Sequence, residues 1–174
     1  MTDGSRMLFD FSHPSAASEW QIVNDDVMGG VSDGRFRITD QKTLEFTGRL
    51  SLENNGGFAS IRTRPRSLGL VSGDALLIRL RGDGREYSLN LYVPRPLIAF
   101  SYRASLPTRP GEWIEARIPL ETFVATRFGR VILDAGPVEP AEVNTLGFLL
   151  GDKIAGPFLL EVDSIRVLRE KATE

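Results

Sequence analysis

Residues Thr43–Leu52 read TLEFTGRLSL. Leu44, Phe46, Leu50 and Leu52 share one phase, while Glu45, Thr47, Arg49 and Ser51 share the other. This is the period of two that an extended strand imposes on its side chains, with one face toward a core and one toward water. The same alternation recurs in RFRIT (Arg35–Thr39), ALLIRLRG (Ala75–Gly82), REYSLNLY (Arg85–Tyr92), IAFSYRA (Ile98–Ala104) and WIEARIPL (Trp113–Leu120), each bounded by Gly, Pro or Asp. Short strands at this spacing predict an all-β sandwich of two antiparallel sheets. Helix is confined to single turns at PLETF (Pro119–Phe123) and PAEVN (Pro140–Asn144). GDG at Gly82–Gly84 reads as a tight hairpin and VPRP at Val93–Pro96 as another reversal. In GPFLLEVDSIRVL (Gly156–Leu168), Phe158, Leu160 and Val162 keep one phase and Ile165 and Val167 the other, which predicts a bulge near Asp163 and Ser164.

The chain has 174 residues, about one domain, and a domain of this size buries roughly two-thirds of the surface its unfolded chain exposes. No linker or clean repeat divides it, so residues 1–174 are expected to form a single sandwich with its core over about 7–168. Cysteine is absent, which excludes disulfides, a thiolate nucleophile and cysteine-ligated metals. With 21 basic and 23 acidic residues the net charge is -2. The arginines are dispersed, so there is no electrostatic case for nucleic acid. No apolar run approaches the roughly 18 residues of a membrane span, leaving only peripheral attachment through a partner. The N-terminal MTDGSRMLFDF has neither a signal-peptide pattern nor the acid-poor character of a transit peptide, and no Asn-x-Ser/Thr acceptor occurs. These features predict a cytoplasmic protein.

Two short stretches resemble each other: NDDVMGGVSDG from Asn24 and NNGGFASIR from Asn54. Their glycines suit positive φ in turns, and Asn and Asp cap such turns through side-chain-to-backbone hydrogen bonds. In FASIR, Phe58, Ser60 and Arg62 share a strand face. A partly buried arginine there calls for a carboxylate, and Asp25 or Asp26 is the natural partner. The two loops are thus expected to form one binding surface from Asn24, Asp25, Asp26, Val27, Met28, Asn54, Asn55, Phe58 and Arg62. Met28 either presents an adaptable apolar contact or plugs the end of the sandwich.

Tests for catalysis are negative. His13 is the only histidine, so multi-histidine metal sites are excluded, and no GxSxG elbow accompanies it. An EF-hand starting at Asp25 or Asp26 fails, because Phe36 or Arg37 stands where the loop needs its bidentate glutamate. GGVSDG lacks the lysine of a phosphate-binding loop and GDGREY the third glycine of a dinucleotide fingerprint. No enzyme activity is expected.

WQIVNDDVMGGVSDGRF (Trp20–Phe36), LEFTGRLSLENNGGFASIR (Leu44–Arg62), GEWIEARIPLETF (Gly111–Phe123) and NTLGFLLGDKIAGPFLLEVDSIRV (Asn144–Val167) resemble, in order, the complex I intermediate-associated protein 30 family. The resemblance implies a jelly-roll sandwich of the galactose-binding-like kind, akin to carbohydrate-binding modules. It also implies a role as an assembly factor or chaperone for respiratory complex I (NADH:ubiquinone oxidoreductase) in mitochondrial members, with complex I subunits or assembly intermediates as partners. The chain looks like a bacterial, domain-only relative. Two readings remain open: a protein-binding assembly factor, and a carbohydrate-binding module stacking sugars on Tyr87, Tyr92, Tyr102 or Trp113. Tyr87 shares the phase of Leu89 and Leu91 and reads as core, whereas Tyr92 looks outward with Glu86, Ser88 and Asn90. No cofactor is expected; the alternative is a structural calcium of the kind related sandwich modules often use to tie the first strand to the last, with Asp10 and Asp163 the acids in place, against the simpler reading that Asp163 caps the bulge.

Overall fold

The computed structural model describes residues 5–24, 32–53, 57–94, 100–127, 130–132 and 136–169. Alternating sequences form thirteen strands among these: β1 (Ser5–Phe9), β2 (Trp20–Asn24), β3 (Asp33–Ile38), β4 (Leu44–Leu50), β5 (Ala59–Thr63), β6 (Ala75–Arg81), β7 (Glu86–Tyr92), β8 (Phe100–Pro107), β9 (Trp113–Pro119), β10 (Val124–Arg127), β11 (Arg130–Val131), β12 (Thr145–Leu150) and β13 (Gly156–Leu168). They make two sheets. One runs β3-β4-β13-β6-β9 with β1 also on β13, and the other runs β11-β10-β8-β7-β12-β5-β2. All the strand pairs are antiparallel. Among the described residues, the 3-10 turns include Ala16–Glu19, Leu120–Thr122 and Pro140–Glu142. The expected sandwich is the observed one.

The core lies between the sheets. Leu44, Phe46, Ile78, Leu80, Leu160 and Val162 enter it from one sheet and Ile61, Tyr87, Leu89, Leu91, Leu146 and Phe148 from the other, all fully buried. Trp20 packs at one end against Phe9, Phe11 and Phe148 at ring separations of 5.4, 5.9 and 6.2 Å. Such aromatic pairs add to the burial of their own area. Leu52 departs from the expected pattern: the strand ends at Leu50, and Leu52 beyond it is 45% exposed.

β13 is the longest strand and organises its sheet. Its first half pairs with β4, from Gly156 opposite Leu50 to Val162 opposite Leu44. Its second half pairs with β1, from Ile165 opposite Phe9 to Leu168 opposite Ser5. Along its other edge, Val162 lies opposite Leu80 and Ser164 opposite Arg79, so Asp163 is an extra residue. This is the expected bulge, and it turns Ile165 and Val167 back into the core after the run Phe158, Leu160, Val162.

GDG at Gly82–Gly84 is not a hairpin. β6 and β7 belong to different sheets, and the segment carries the chain from one to the other. The Asp83 carboxylate holds this arch by accepting from the Arg85 N–H at 3.1 Å, the Tyr87 hydroxyl at 3.1 Å and, across the sandwich, the Leu159 N–H at 2.8 Å. Burial, with Asp83 beside it, pushes the Tyr87 hydroxyl far up from its ordinary pKa. β7 and β8 are antiparallel neighbours, while Arg95 and Pro96 of the expected reversal lie outside the described residues.

Next to the arch, Arg85 closes the end of the sandwich. Its Nε and Nη2 donate to the two Asp152 oxygens at 2.9 and 2.7 Å, its Nη1 to the Gly156 and Pro157 carbonyls at 3.2 and 2.9 Å, and its Nη2 also to the Ile154 carbonyl. Both side chains are nearly buried, Arg85 at 12% and Asp152 at 9% exposure. Burial by itself would raise the Asp152 carboxyl, but the Arg85 hydrogen bond and the Ile154 N–H outweigh it and hold it below the ordinary range.

Asp152→Ala strands the Arg85 guanidinium and is expected to cost about 3–5 kcal/mol at neutral pH. Because the folded-state pKa is depressed, the stabilisation is complete above the unfolded value of about 4 and fades as the pH falls through the folded one. Urea melts at pH 7, 5, 4 and 3 should show a constant gap between wild type and variant down to about pH 4 and a narrowing gap below it.

Candidate functional site on the seven-stranded sheet

The outward face of the β11-β10-β8-β7-β12-β5-β2 sheet is polar where it is shielded. Alternation puts Ser60 and Arg62 of β5, Thr145 and Gly147 of β12, Ser88, Asn90 and Tyr92 of β7, Ser101, Arg103 and Ser105 of β8, and Thr126 of β10 on this side. Ser60, Asn90, Ser101, Thr126 and Thr145 are each at most 6% exposed. Buried polar groups need partners, and the hydroxyls have them: Ser60 donates to the Val23 carbonyl, Ser101 and Thr126 bond each other at 3.0 Å, and Thr145 donates to Asn144 Oδ1 at 3.0 Å.

One register row crosses the middle of this face. Gln21 lies opposite Arg62, Arg62 opposite Gly147, Gly147 opposite Asn90, and Asn90 opposite Arg103. Two arginines therefore flank β7 from opposite sides. The Arg62 guanidinium carbon sits 4.4 Å from the centre of the Tyr92 ring. Asn90 donates from Nδ2 to the Tyr92 hydroxyl at 3.2 Å and accepts at Oδ1 a long bond of 3.4 Å from Arg103 Nε. The four side chains form a continuous chain, Arg62 to Tyr92 to Asn90 to Arg103. Gly147 makes it possible: a Cβ there would lie 2.6 Å from the Ile61 carbonyl oxygen and 2.9 Å from Arg62 Cβ.

The electrostatics are one-sided. Among the described residues no carboxylate pairs with Arg62 or Arg103, and the buried Arg62 Nε has no hydrogen-bond partner. Burial pulls Arg103 below its ordinary pKa, opposed in part by Tyr92, yet a guanidinium remains charged at neutral pH.

The expected pairing of Arg62 with Asp25 or Asp26 falls outside the described residues, as do Val27, Met28, Asn54 and Asn55. Asn24 lies opposite Ala59, so the ends of β2 and β5 that lead into the two quoted stretches are neighbours. Phe58, half-buried, directly precedes that point. Arg62 leans the other way, toward Tyr92, which pairs with Thr145 beyond the Gly147 row. Asn90 and Arg103 were not among the expected site residues; the alternation of Ser88, Asn90 and Tyr92 with Tyr87, Leu89 and Leu91 carries the first, and that of Ser101, Arg103 and Ser105 with Phe100, Tyr102 and Ala104 the second.

The other candidate sites are plainly placed. Tyr87 and Tyr102 are fully buried. Trp113 lies on the opposite sheet between Arg79 and Arg81, at 5.0 and 4.8 Å. The aromatic residues form no common platform. Asp10 accepts from the Ser12 N–H and hydroxyl at 3.0 and 2.8 Å, and these two bonds, the N–H first, hold its carboxyl below the ordinary range. Asp163 faces Arg79 at 3.8 Å. Among the described residues no three His, Asp or Glu side chains gather as metal ligands. His13 lies on a surface turn between Ser15, at 3.1 Å, and Glu19, at 3.0 Å. An open depression of about 410 Å³ on the other sheet is lined by Asp33, Arg35, Thr47, Arg49 and Ser51, among others.

The architecture is that of the jelly-roll carbohydrate-binding modules. It superposes on a family 11 carbohydrate-binding module from Clostridium thermocellum, solved with a β-1,3-1,4-mixed-linked tetrasaccharide, with a TM-score of 0.68 at 13% identity over 99% of this chain and 100% of that one. It likewise superposes on the agarase AgWH50C with a TM-score of 0.64 at 14% identity, over 98% of this chain and 25% of that one. At such identities the likeness is one of fold. Residues 9–162 match the family model described as complex I intermediate-associated protein 30, and the chain belongs to that family.

The mitochondrial complex I intermediate-associated protein 30 of Mus musculus is 29% identical over 97% of this chain and 57% of its own length. That of Drosophila melanogaster is 28% identical over 91% of this chain and 61% of its own length. The chain thus spans somewhat more than half the length of these relatives. Their names concern association with complex I intermediates and specify no reaction. They also place the relatives in mitochondria, which overturns the cytoplasmic location expected from the N-terminal residues. No helix among the described residues is long and apolar enough to cross a membrane.

Gly147→Ala is expected to push Arg62 off the Tyr92 ring and to destabilise the fold by about 1–3 kcal/mol, the usual range for overpacking. Thermal melts give the size of the effect, and loss of the ring-current shift on the Arg62 side-chain protons identifies its cause. An unchanged melt with an unchanged shift would show that the backbone accommodates the methyl.

Proposed function

We infer that this chain is a non-enzymatic assembly factor for respiratory complex I, holding a partner polypeptide on the rigid outer face of its seven-stranded sheet. The observation that carries the reading is the family match over residues 9–162. A two-sheet sandwich with a dense core is a stiff scaffold, and function on such folds resides in what the surface presents. This surface presents guanidinium, amide and hydroxyl groups instead of a nucleophile and base in a cleft.

The carbohydrate-binding alternative needs exposed aromatic faces on which sugars stack. Tyr92 is the aromatic residue on the sheet face described above, and a guanidinium already covers one side of its ring. The fold is shared with sugar-binding modules, and the partly covered Tyr92 ring is what favours the assembly reading over that one.

Affinity purification of the tagged chain from cells that build complex I, with mild crosslinking, is expected to recover complex I subunits or partly assembled intermediates. Deleting the gene should lower the amount of complete complex I on native gels. Normal complex I levels in the deletion, combined with binding to a glycan array by the purified chain, would replace the assembly reading with the carbohydrate one.

A further inference from the structure

We propose that the Arg62–Tyr92–Asn90–Arg103 cluster is a receptor for acidic side chains, aspartate or glutamate, on the partner polypeptide. The proposal deepens the assembly reading and rests on it for the nature of the partner; the anion specificity rests on the geometry alone.

Two cations face one another across β7 without a carboxylate among the described residues, in a chain whose 23 acids outnumber its 21 bases. Two other arginines of the fold do meet carboxylates: Arg85 with Asp152 at 2.7 Å and Arg81 with Glu161 at 2.6 Å. Arg62 and Arg103 have none among the described residues, and they lie beside the buried Asn90. The Arg62 Nε–H is buried and bonds to no described atom, and Arg103 spends its Nε on a 3.4 Å contact, so the terminal nitrogens are the groups a ligand would reach. Both keep donor capacity, and a guanidinium fork matches a carboxylate in two parallel hydrogen bonds.

The arrangement is also held in advance. Tyr92 supports Arg62 from below by cation–π contact, Gly147 clears its path, and Asn90 ties Tyr92 to Arg103. Holding the donors before the ligand arrives reduces the ordering cost of binding. A neutral sugar meets the opposite of what it needs here: a ring face already occupied and two charges to leave unpaired. A carboxylate on a polypeptide meets both charges, while flanking main-chain groups can reach the bordering hydroxyls of Ser88 and Ser105.

The test uses the full chain labelled with 15N and two blocked peptides, hexaglutamate and hexaglutamine, at low ionic strength, with arginine Nε–H resonances as the readout. Hexaglutamate should shift the Arg62 and Arg103 resonances and hexaglutamine should not. The R62Q/R103Q variant should bind hexaglutamate about tenfold more weakly or worse, the loss of at least one charge-assisted hydrogen bond. R35Q/R49Q, on the other sheet, should bind as wild type does. Because the wild-type shifts need no variant, a failure of R62Q/R103Q to fold does not remove the test. Equal binding by R62Q/R103Q, absence of shifts at both arginines, or equal shifts with inorganic phosphate or cellotetraose would overturn the proposal. If complex I subunits co-purify but hexaglutamate leaves both arginines unmoved, the acidic receptor is wrong and the assembly reading stands. If hexaglutamate binds through both arginines and no complex I subunit is recovered, the receptor stands and the assembly reading falls.

Discussion

The end of the sandwich is closed by one guanidinium. Arg85 immediately precedes β7 of one sheet and reaches the carbonyls of Gly156 and Pro157, where β13 of the other sheet begins, while Asp152 neutralises it from the loop between β12 and β13. Asp83, two residues earlier, binds the Leu159 N–H of the same strand. A two-sheet fold has no backbone ladder between its layers, so apolar packing holds them together and leaves their relative slide weakly constrained. The arch at residues 82–85 supplies directional bonds across that gap. β13 in turn carries β1, β4 and β6, so the alignment of one whole sheet follows from where its first residues are pinned.

The two faces of the molecule use charge in different ways. On the six-stranded sheet, arginines meet acids: Arg37 with Glu45, Arg79 with Asp163 and Arg81 with Glu161, which also accepts from Thr43 at 2.6 Å. The exposed pairs, Arg37 with Glu45 and Arg79 with Asp163, add little stability, whereas Glu161 is a buried carboxylate held by both Arg81 and Thr43. On the seven-stranded sheet, the shielded hydroxyls are satisfied internally, while Arg62 and Arg103 lean on a tyrosine ring and an amide. The scaffold is one that sugar-binding modules also use, and this sheet face carries guanidinium, amide and hydroxyl groups.

Particular residues mark what could be read in advance. Tyr87 was legible as core and Tyr92 as outward, because each belongs to an unbroken alternation with Leu89 and Leu91 or with Ser88 and Asn90. The Asp163 bulge was legible because the apolar phase reverses there. Gly82–Gly84 was misread, because a GDG turn has the same local chemistry whether the next strand pairs with the previous one or crosses to another sheet. Arg62 was recognised as unusual, but its contact with Tyr92 was not, since it depends on β12 lying between β5 and β7 with a glycine in the intervening row.

By itself, the sequence determined the strands, the faces they bury and the family to which they belong. Side-chain alternation is a covalent property of an extended chain and survives in any sheet that hides one face. Only the tertiary structure decided which strands are neighbours, that Asp152 and Arg85 meet 67 positions apart, and that Arg62 and Arg103 converge on one tyrosine–asparagine pair. Those outcomes come from the competition among all strands to cover one another's apolar faces, a global free-energy balance that no local stretch encodes.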